Sequence, residues 1–572
     1  MTEKQPVTIE NSNICSPVIE WILAPGSLLL KNSSFFPVYN NHDYTLYFKS
    51  PSSDLKIIKQ DNYTDLIIGN AIPRLHNDPG TFINIKGHFV LIRLSDSQTI
   101  IANDHFGVQK FFYTDYKGFI ASNHPENIIE LMGHTTYDNV SGMLYLLFNY
   151  FVWGRTIFKG IKYSGPSTII YSDGSEIKKE TYLRIDRTKK RNHSLNKTSV
   201  AVSEQLVEIL EQYNLYDAGN VCITLTGGYD SRMILAGLLK HNSKISAFTF
   251  GNPISQDAMN ARKIAESFNI RYRSYPIEND LINNFRTITS NAVLCSGGML
   301  NLLRMIRMRY FKEAVSPGEV LYLGYAGSEI IRGLYPDGLL SSRFFENYSL
   351  NPNNAESIVK RYLSRFRLEY SVSDFTELLQ LLSENTSALD PFQHLLQTII
   401  PLHFGEDLRW LEMEGVKCRA PFMDIDFVEF LAEMDSISLL RPDERKIKKS
   451  HFSRIDNPWL SAAIILKLNK KLGSLPLGKG FSPRDYIFSK YLAGIKLVLR
   501  KILYKKELVT ILDPWYTSFL KEILTDENIY LSEFSKQKLL SDIFYTEPKS
   551  EFDFLPYTKF YNLFLIRRLF LK

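Results

Sequence analysis

Between Thr226 and Ser231 the chain reads TGGYDS, two glycines between hydroxyl residues with one acid close behind. Gly227 and Gly228 lack a Cβ, so the backbone there can approach an anion closely, and a helix starting just after them would add the partial positive charge of its unpaired N–H groups. Asp230 is within reach of a magnesium ion riding on phosphates, and Ser231 falls in the same first turn. The pattern is that of a phosphate cradle. A bare glycine pair is a weak signal, but the whole string is specific, and it is not the GxxxxGK[ST] loop, because no lysine follows the glycines.

The surrounding sequence supplies elements to hold this loop. Val221, Cys222, Ile223, Thr224 and Leu225 form a β-branched apolar run suited to a buried parallel strand, and Met233, Ile234, Leu235, Leu238 and Leu239 make an apolar helical stripe. A second strand is expected at Ile245 to Phe250, followed by Gly251 and a helix from Asp257 to Phe268. A third, Val320 to Leu323, runs into Gly324-Tyr325-Ala326-Gly327-Ser328-Glu329 and a helix through Ile330, Ile331 and Arg332. Alternation of this kind predicts a doubly wound parallel sheet whose ligand sits beyond the strand C-termini. From Val18 to Arg184 the text is instead a series of short β-type runs, among them HFVLIRL, QTIIAND and STIIYSDG, which predicts a β-layered domain with hairpins. The expected division is a β-layered domain over residues 1–185, a polar basic linker over 186–198, the parallel-sheet domain over 199–506 and a helical extension over 507–572 packed on that domain.

At 572 residues the chain exceeds one core, and 44% hydrophobic with 22% charged residues describes an ordinary globular composition. A net charge of +6 suits anionic substrates such as nucleotides but is not the dense basic footprint of a nucleic-acid protein. The N-terminal MTEKQPVTIENSN has no signal-peptide pattern, and Met143 to Trp153 is too short to span a bilayer. Cys15, Cys222, Cys295 and Cys418 are scattered, suggesting neither a disulfide framework nor a zinc site, so a cytoplasmic location is expected.

The TGGYDS string resembles the SGGxDS loop of the ATP pyrophosphatases, enzymes that split ATP between its α and β phosphates, with Thr226 in place of the usual serine. Other stretches are similar to asparagine synthetases. Gly87-His88-Phe89, Asn103-Asp104-His105-Phe106-Gly107 and Ile120-Ala121-Ser122 follow the order of motifs in their glutaminase (Ntn-type) domain. Gly415-Val416-Lys417-Cys418-Arg419-Ala420-Pro421-Phe422-Met423-Asp424 resembles their GVEARVPFLD segment, in which Arg419 and Asp424 read as an internal ion pair and helix cap. The likeness spans residues 80–485.

That resemblance implies a fold and a chemistry. The fold is an α+β glutaminase-like domain followed by an α/β ATP pyrophosphatase domain with a helical C-terminal part. ATP would sit on Leu225, Thr226, Gly227, Gly228, Asp230, Ser231 and Gly324, with adenine at the backbone of Phe250 and Gly251. Magnesium would be bound by Asp230 and Glu329, and Lys479 in LGKGFSP would neutralise the acyl-adenylate and departing pyrophosphate. Where asparagine synthetases have GEGxDE this chain has GYAGSE: Tyr325 replaces the first Glu and Ser328 the metal-binding Asp. Tyr325 is similar to the tyrosine of β-lactam synthetases, which deprotonates an amine with help from a Glu, here assigned to Glu412; the bland alternative for Tyr325 is a packing aromatic. Thr2 cannot replace the N-terminal cysteine that glutaminases of that class use as nucleophile, so glutamine hydrolysis is not expected. The expected function is an AMP-forming ligase joining a small-molecule carboxylate to ammonia or a substrate amine, with no nucleic acid, no stable membrane insertion and a homodimer as a compatible state. The alternatives are glutamine-dependent asparagine synthesis and a nucleotide-binding protein of the same fold with weakened catalysis.

Overall fold

The computed structural model describes residues 20–25, 35–41, 43–49, 55–59, 62–73, 85–174, 176–185, 194–241, 244–251, 253–276, 285–300, 302–332, 355–364, 370–386, 391–434, 458–478, 480–503, 562–563, 565–566 and 569–570. The N-terminal part contains two six-stranded antiparallel sheets. One orders its strands as Lys162–Tyr163, Phe112–Thr114, Ile120–Ser122, Trp21–Pro25, Tyr44–Phe48 and Phe36–Asn40. The other runs Ile177–Thr181, Thr168–Ser172, Thr99–Asn103, Ile85–Leu94, Thr64–Pro73 and Leu55–Lys59.

Strand alternation decides how these sheets pack. Leu66 and Ile68, with Val90 and Ile92, face Trp21, Leu23, Leu46 and Phe48 of the first sheet. Their neighbours Ile67, Phe89 and Leu91 form a separate cluster on the opposite face. The outer side of the first sheet, through Ile22, Phe112 and Ile120, joins the main core beneath the helices Pro125–Met132 and Asn139–Phe148. The buried helix Asn139–Phe148 contains most of the Met143 to Trp153 run, and among the described residues no helix is long and apolar enough to cross a membrane.

The second part is built on five parallel strands in the order Arg271–Tyr275, Lys244–Phe250, Asn220–Thr224, Val320–Tyr322 and Cys418–Arg419. Strand order reverses on either side of Asn220–Thr224, so the crevice beyond that strand is the topological switch point at which open α/β sheets bind ligands. The expected elements lie within a residue or two of their places, with helices at Asp230–Leu238, Gln256–Ser267 and Gly327–Arg332.

Three expectations are altered. The stretch read as a linker is helical from Leu195, because Ser194 caps the helix Leu195–Tyr216 by accepting from the Lys197 N–H. Residues 186–193 and most of 507–572 lie outside the described residues. The described end of the extension packs on both parts of the chain: Asn562 Nδ2 donates to Tyr145 Oη at 2.7 Å and to the Gly298 carbonyl at 2.9 Å, and Phe570 meets Phe158 edge-on. Cys295 is disulfide-bonded, whereas Cys222 and Cys418 are buried free thiols.

The two parts meet in a seam of buried charge. Lys86, on an N-terminal strand, lies 2.8 Å from both Asp424 and Asp426. Lys110 binds Glu406 and the Pro401 carbonyl, and Glu412 accepts from Asn70 and Gln109 and pairs with His88. These partners explain the Gly415 to Asp424 motif. Asp424 caps the helix Ile425–Ala432, as expected, but it does not pair with Arg419: its ion pair is with Lys86, while Arg419 is bound to Asp217 at 3.0 Å. Burial opposes the Asp217 charge, but Arg419 and Lys417 together hold that carboxyl below its ordinary value.

Candidate functional site

The loop following the strand Asn220–Thr224 is folded by its own hydroxyls. Thr226 N–H donates to Ser231 Oγ at 3.2 Å, and Gly228 N–H donates to Thr226 Oγ1 at 3.1 Å, which explains why a hydroxyl is needed at 226. Below it, Leu225 N–H donates to the Phe248 carbonyl, and the Thr249 hydroxyl donates to the Leu225 carbonyl, tying the loop to the neighbouring strand. The helix Asp230–Leu238 then begins with Asp230 in its first turn.

Gly227 is the tightest point. A Cβ there would lie 2.6 Å from Asp257 Oδ1, 3.0 Å from the Gly478 nitrogen and 3.2 Å from Asn260 Nδ2. Its N–H donates to Asp257 Oδ1 at 3.2 Å and its carbonyl accepts from Gly478 N–H at 3.0 Å. Asn260 Nδ2 is buried and has no hydrogen-bond partner among the described residues. An unfilled donor beside a glycine loop at a helix start, at a switch point, is the chemistry a phosphate oxygen would satisfy, so the residues present fit a nucleotide triphosphate tail.

A second loop is fixed over the first. Arg232 is fully buried, its charge disfavoured by burial to a pKa of about 10, and it spends its guanidinium on the carbonyls of Leu475, at 2.8 Å, and Pro476. With the Gly478–Gly227 bond, this holds the LGKGFSP segment against the phosphate loop. Lys479 itself lies outside the described residues, between Gly478 and Gly480.

The GYAGSE segment lines the other side. Gly324 lies so close that a Cβ would meet Asp230 Cβ and Ser231 N at 3.1 Å, and Gly327 is closed in by Phe422 at 2.8 Å and by Asp230 Cγ at 3.1 Å. Ser328 donates its hydroxyl to Asp230 Oδ2, so the position where asparagine synthetases have a second acid does face Asp230, with a neutral group. Glu329 sits in the first turn of the helix Gly327–Arg332. The donor set available to magnesium on this side is thus one carboxylate and a hydroxyl, with Glu329 one residue on. Among the described residues no cluster of three His, Cys, Asp or Glu side chains that could hold a metal occurs.

Phe250 and Gly251 end the strand Lys244–Phe250. Gly251, at φ +105°, donates its N–H to the Tyr275 carbonyl at 2.7 Å, and the Phe250 ring stacks parallel to Tyr310 at 6.4 Å, so only backbone is left to meet a base.

Tyr325 packs on Phe404, with ring centroids 5.3 Å apart, and the Arg304 guanidinium lies 5.8 Å from its ring. Arg304 donates Nε to both oxygens of Asp407, at 2.9 and 3.1 Å, and is bonded to His403, which in turn meets Tyr150 Oη at 2.6 Å. Burial opposes the Arg304 charge, but Asp407, and Tyr325 after it, raise its pKa above the ordinary value. His403 and Phe404 end a π-helical stretch, Leu395–Phe404, where Pro401 interrupts α-helical bonding; its carbonyl is taken by Lys110. Glu412 does not join this group. Its carboxylate is engaged by Asn70 at 2.9 Å, His88 at 2.8 Å and Gln109 at 2.6 Å, which makes it a seam residue rather than the partner of Tyr325; the charged groups beside the Tyr325 ring are instead Arg304 and, bound to it, Asp407 and His403.

Residues 206–476 match the family model described as Asparagine synthase, and this stretch is an asparagine synthase domain. No curated protein matches the chain. Among solved structures, an NMN synthetase from Francisella tularensis is 16% identical, with 34% of this chain and 97% of that one covered, at a TM-score of 0.18. A glutamine phosphoribosylpyrophosphate amidotransferase from B. subtilis, complexed with ADP and GMP, is 10% identical, with 64% and 87% covered, at a TM-score of 0.17. Superpositions this loose carry nothing about this chain's chemistry.

Proposed function

We propose that this asparagine synthase domain, joined to a glutaminase-like domain over residues 1–185, is an ATP-dependent, AMP-forming carbon–nitrogen ligase. The observation that carries the reading is the Gly227 cradle at the switch point, with the unfilled Asn260 donor inside it and Asp230 beside it. A substrate carboxylate attacks the α-phosphorus of ATP; the bond to the β-phosphate oxygen breaks and pyrophosphate leaves. A nitrogen nucleophile then attacks the acyl carbon, AMP departs with the bonding pair, and an amide is formed. Adenylation is needed because a carboxylate is a poor electrophile.

In this reading Thr226 to Ser231 and Asn260 hold the phosphates, the backbone of Phe250 and Gly251 meets adenine, and Lys479 stabilises charge on the departing pyrophosphate. Asp230, with Glu329, would hold magnesium, which supplies charge neutralisation on the phosphates. Tyr325 takes the amine proton. A phenol is a poor base alone, and the positive Arg304 beside its ring favours the phenolate, while Asp407 and His403 keep that guanidinium in place.

The test is ATP–pyrophosphate exchange over a panel of carboxylic acids, followed by amide formation with ammonia and simple amines. Asp230→Asn is expected to abolish exchange in a folded protein. Tyr325→Phe is expected to retain exchange and slow amide formation by roughly 10²- to 10⁴-fold. Undiminished exchange in Asp230→Asn overturns the metal assignment. Parallel loss of both activities in Tyr325→Phe makes Tyr325 a structural residue.

A further inference from the structure

A cavity of about 660 Å³ that shares no lining residue with the phosphate loop lies between the N-terminal sheets and two helical elements, Val372–Thr386 through Asn385 and Leu395–Phe404 through Gln397. Its size is that of a small-molecule site, for which ~300–1,000 Å³ is usual. Its lining is one-sided in charge. Lys179 and Arg184 contribute cations, and among the described residues that line it none is Asp or Glu. Lys179 Nζ has a neutral partner, donating to Tyr113 Oη at 3.2 Å. It stands on the strand Ile177–Thr181, open to water yet ringed by protein, and this surrounding together with the neighbouring Lys162 pushes its pKa down. This cation is left with a neutral partner and with no carboxylate among the described lining residues.

The apolar side is equally specific. Trp153 and Leu396 line the cavity, and Trp153 is held at φ +59° with its ring edge-on to Phe148 at 5.5 Å. Ser167, also in the lining, stands at φ +50°, fixed by its hydroxyl donating to the His105 carbonyl at 2.8 Å. Left-handed backbone costs a non-glycine residue of order 1–3 kcal/mol and persists where surrounding structure enforces it, commonly at ligand sites. Two such residues line this one cavity.

We propose that this cavity is a binding site for a small organic anion, a carboxylate or phosphate head on a flat apolar body, with Lys179 and Arg184 holding the head and Trp153 covering the body. It is separate from the adenylation site, and its occupant is not the nucleotide.

The experiment uses the full chain and isothermal titration with benzoate, phenyl phosphate and the neutral isostere benzamide, with and without saturating ATP. Benzoate or phenyl phosphate is expected to bind at least tenfold more tightly than benzamide, and their ranking identifies the head group. Lys179→Met and, separately, Arg184→Gln should each weaken the anion tenfold or more, Lys179→Arg should retain it, and ATP should not displace it. Lys179 and Arg184 are exposed along their stems, so the variants keep the wild-type thermal melt; Arg184→Gln decides the matter if Lys179→Met does not fold. Failure of both anions to bind at millimolar concentration, equal affinity for benzamide, an unaltered constant in the variants or displacement by ATP overturns the proposal. Loss of pyrophosphate exchange in Asp230→Asn leaves this site untouched, so the two readings fail separately.

Discussion

Replacing Gly227 by alanine tests the phosphate cradle at its narrowest point. The new methyl would stand 2.6 Å from Asp257 Oδ1 and 3.0 Å from the Gly478 nitrogen, both well inside ordinary contact. The carboxylate can turn aside, but Gly478 is backbone and is itself bonded to the Gly227 carbonyl, so the loop above must lift. Two hydrogen bonds are lost, at about 1 kcal/mol each, and overpacking adds about 1–3 kcal/mol, giving a loss of roughly 3–5 kcal/mol. A lifted loop no longer closes on the phosphates, and ATP affinity is expected to fall ~10- to 100-fold at about 1.4 kcal/mol per decade. Gly228→Ala is the milder comparison, since among the described residues its methyl meets one side-chain atom, the Thr226 hydroxyl at 3.2 Å, and no backbone. Urea unfolding of both variants and calorimetry with a non-hydrolysable ATP analogue measure the two effects. If Gly228→Ala is the more damaging, or Gly227→Ala binds the analogue as wild type does, the cradle is wrongly placed.

Lys86→Met strands Asp424 and Asp426 in the seam and should destabilise the chain by ~3–5 kcal/mol in urea unfolding, with Lys86→Met combined with Asp424→Asn and Asp426→Asn recovering part of the loss. At His88, burial opposes the charged ring but Glu412 outweighs it, and the folded pKa is raised above 6.5. Its contribution is therefore complete below about pH 6.5 and is lost as pH rises through the folded value, so the stability advantage of wild type over His88→Gln should shrink as pH is raised from about 6.5; a constant difference in urea midpoints refutes the pairing. Arg232→Met should loosen the Leu475 to Gly480 loop, seen as faster amide hydrogen exchange there with the helix Asp230–Leu238 still protected.

The strands and helices around the phosphate loop were readable because each carries its own local signal: the β-branched run at Val221, the stripe from Met233, the glycine break between them. The cap at Ser194 was not, because a helix start and a polar linker use the same residues, and only the Lys197 N–H tells them apart. Asp257 could have been found, since it opens the helix after its strand as Asp230 does after its own. Arg304, Asp407 and the partners of Glu412 could not. Glu412 meets His88 across 324 residues and Arg304 meets Asp407 across 103, and no periodicity in the chain encodes which distant charge a buried group will choose.

The seam also bears on how such a chain could be divided. Cutting away the N-terminal sheets would remove Lys86 and Lys110 together and leave Asp424, Asp426 and Glu406 as carboxylates on a face built to be dry. Charges of that kind either draw in water or take up protons, and both open the face that carries the Cys418–Arg419 strand at the end of the parallel sheet. The C-terminal half is therefore not a transplantable module. Any separation of the two parts would have to pass through a form that repacks three acids at once.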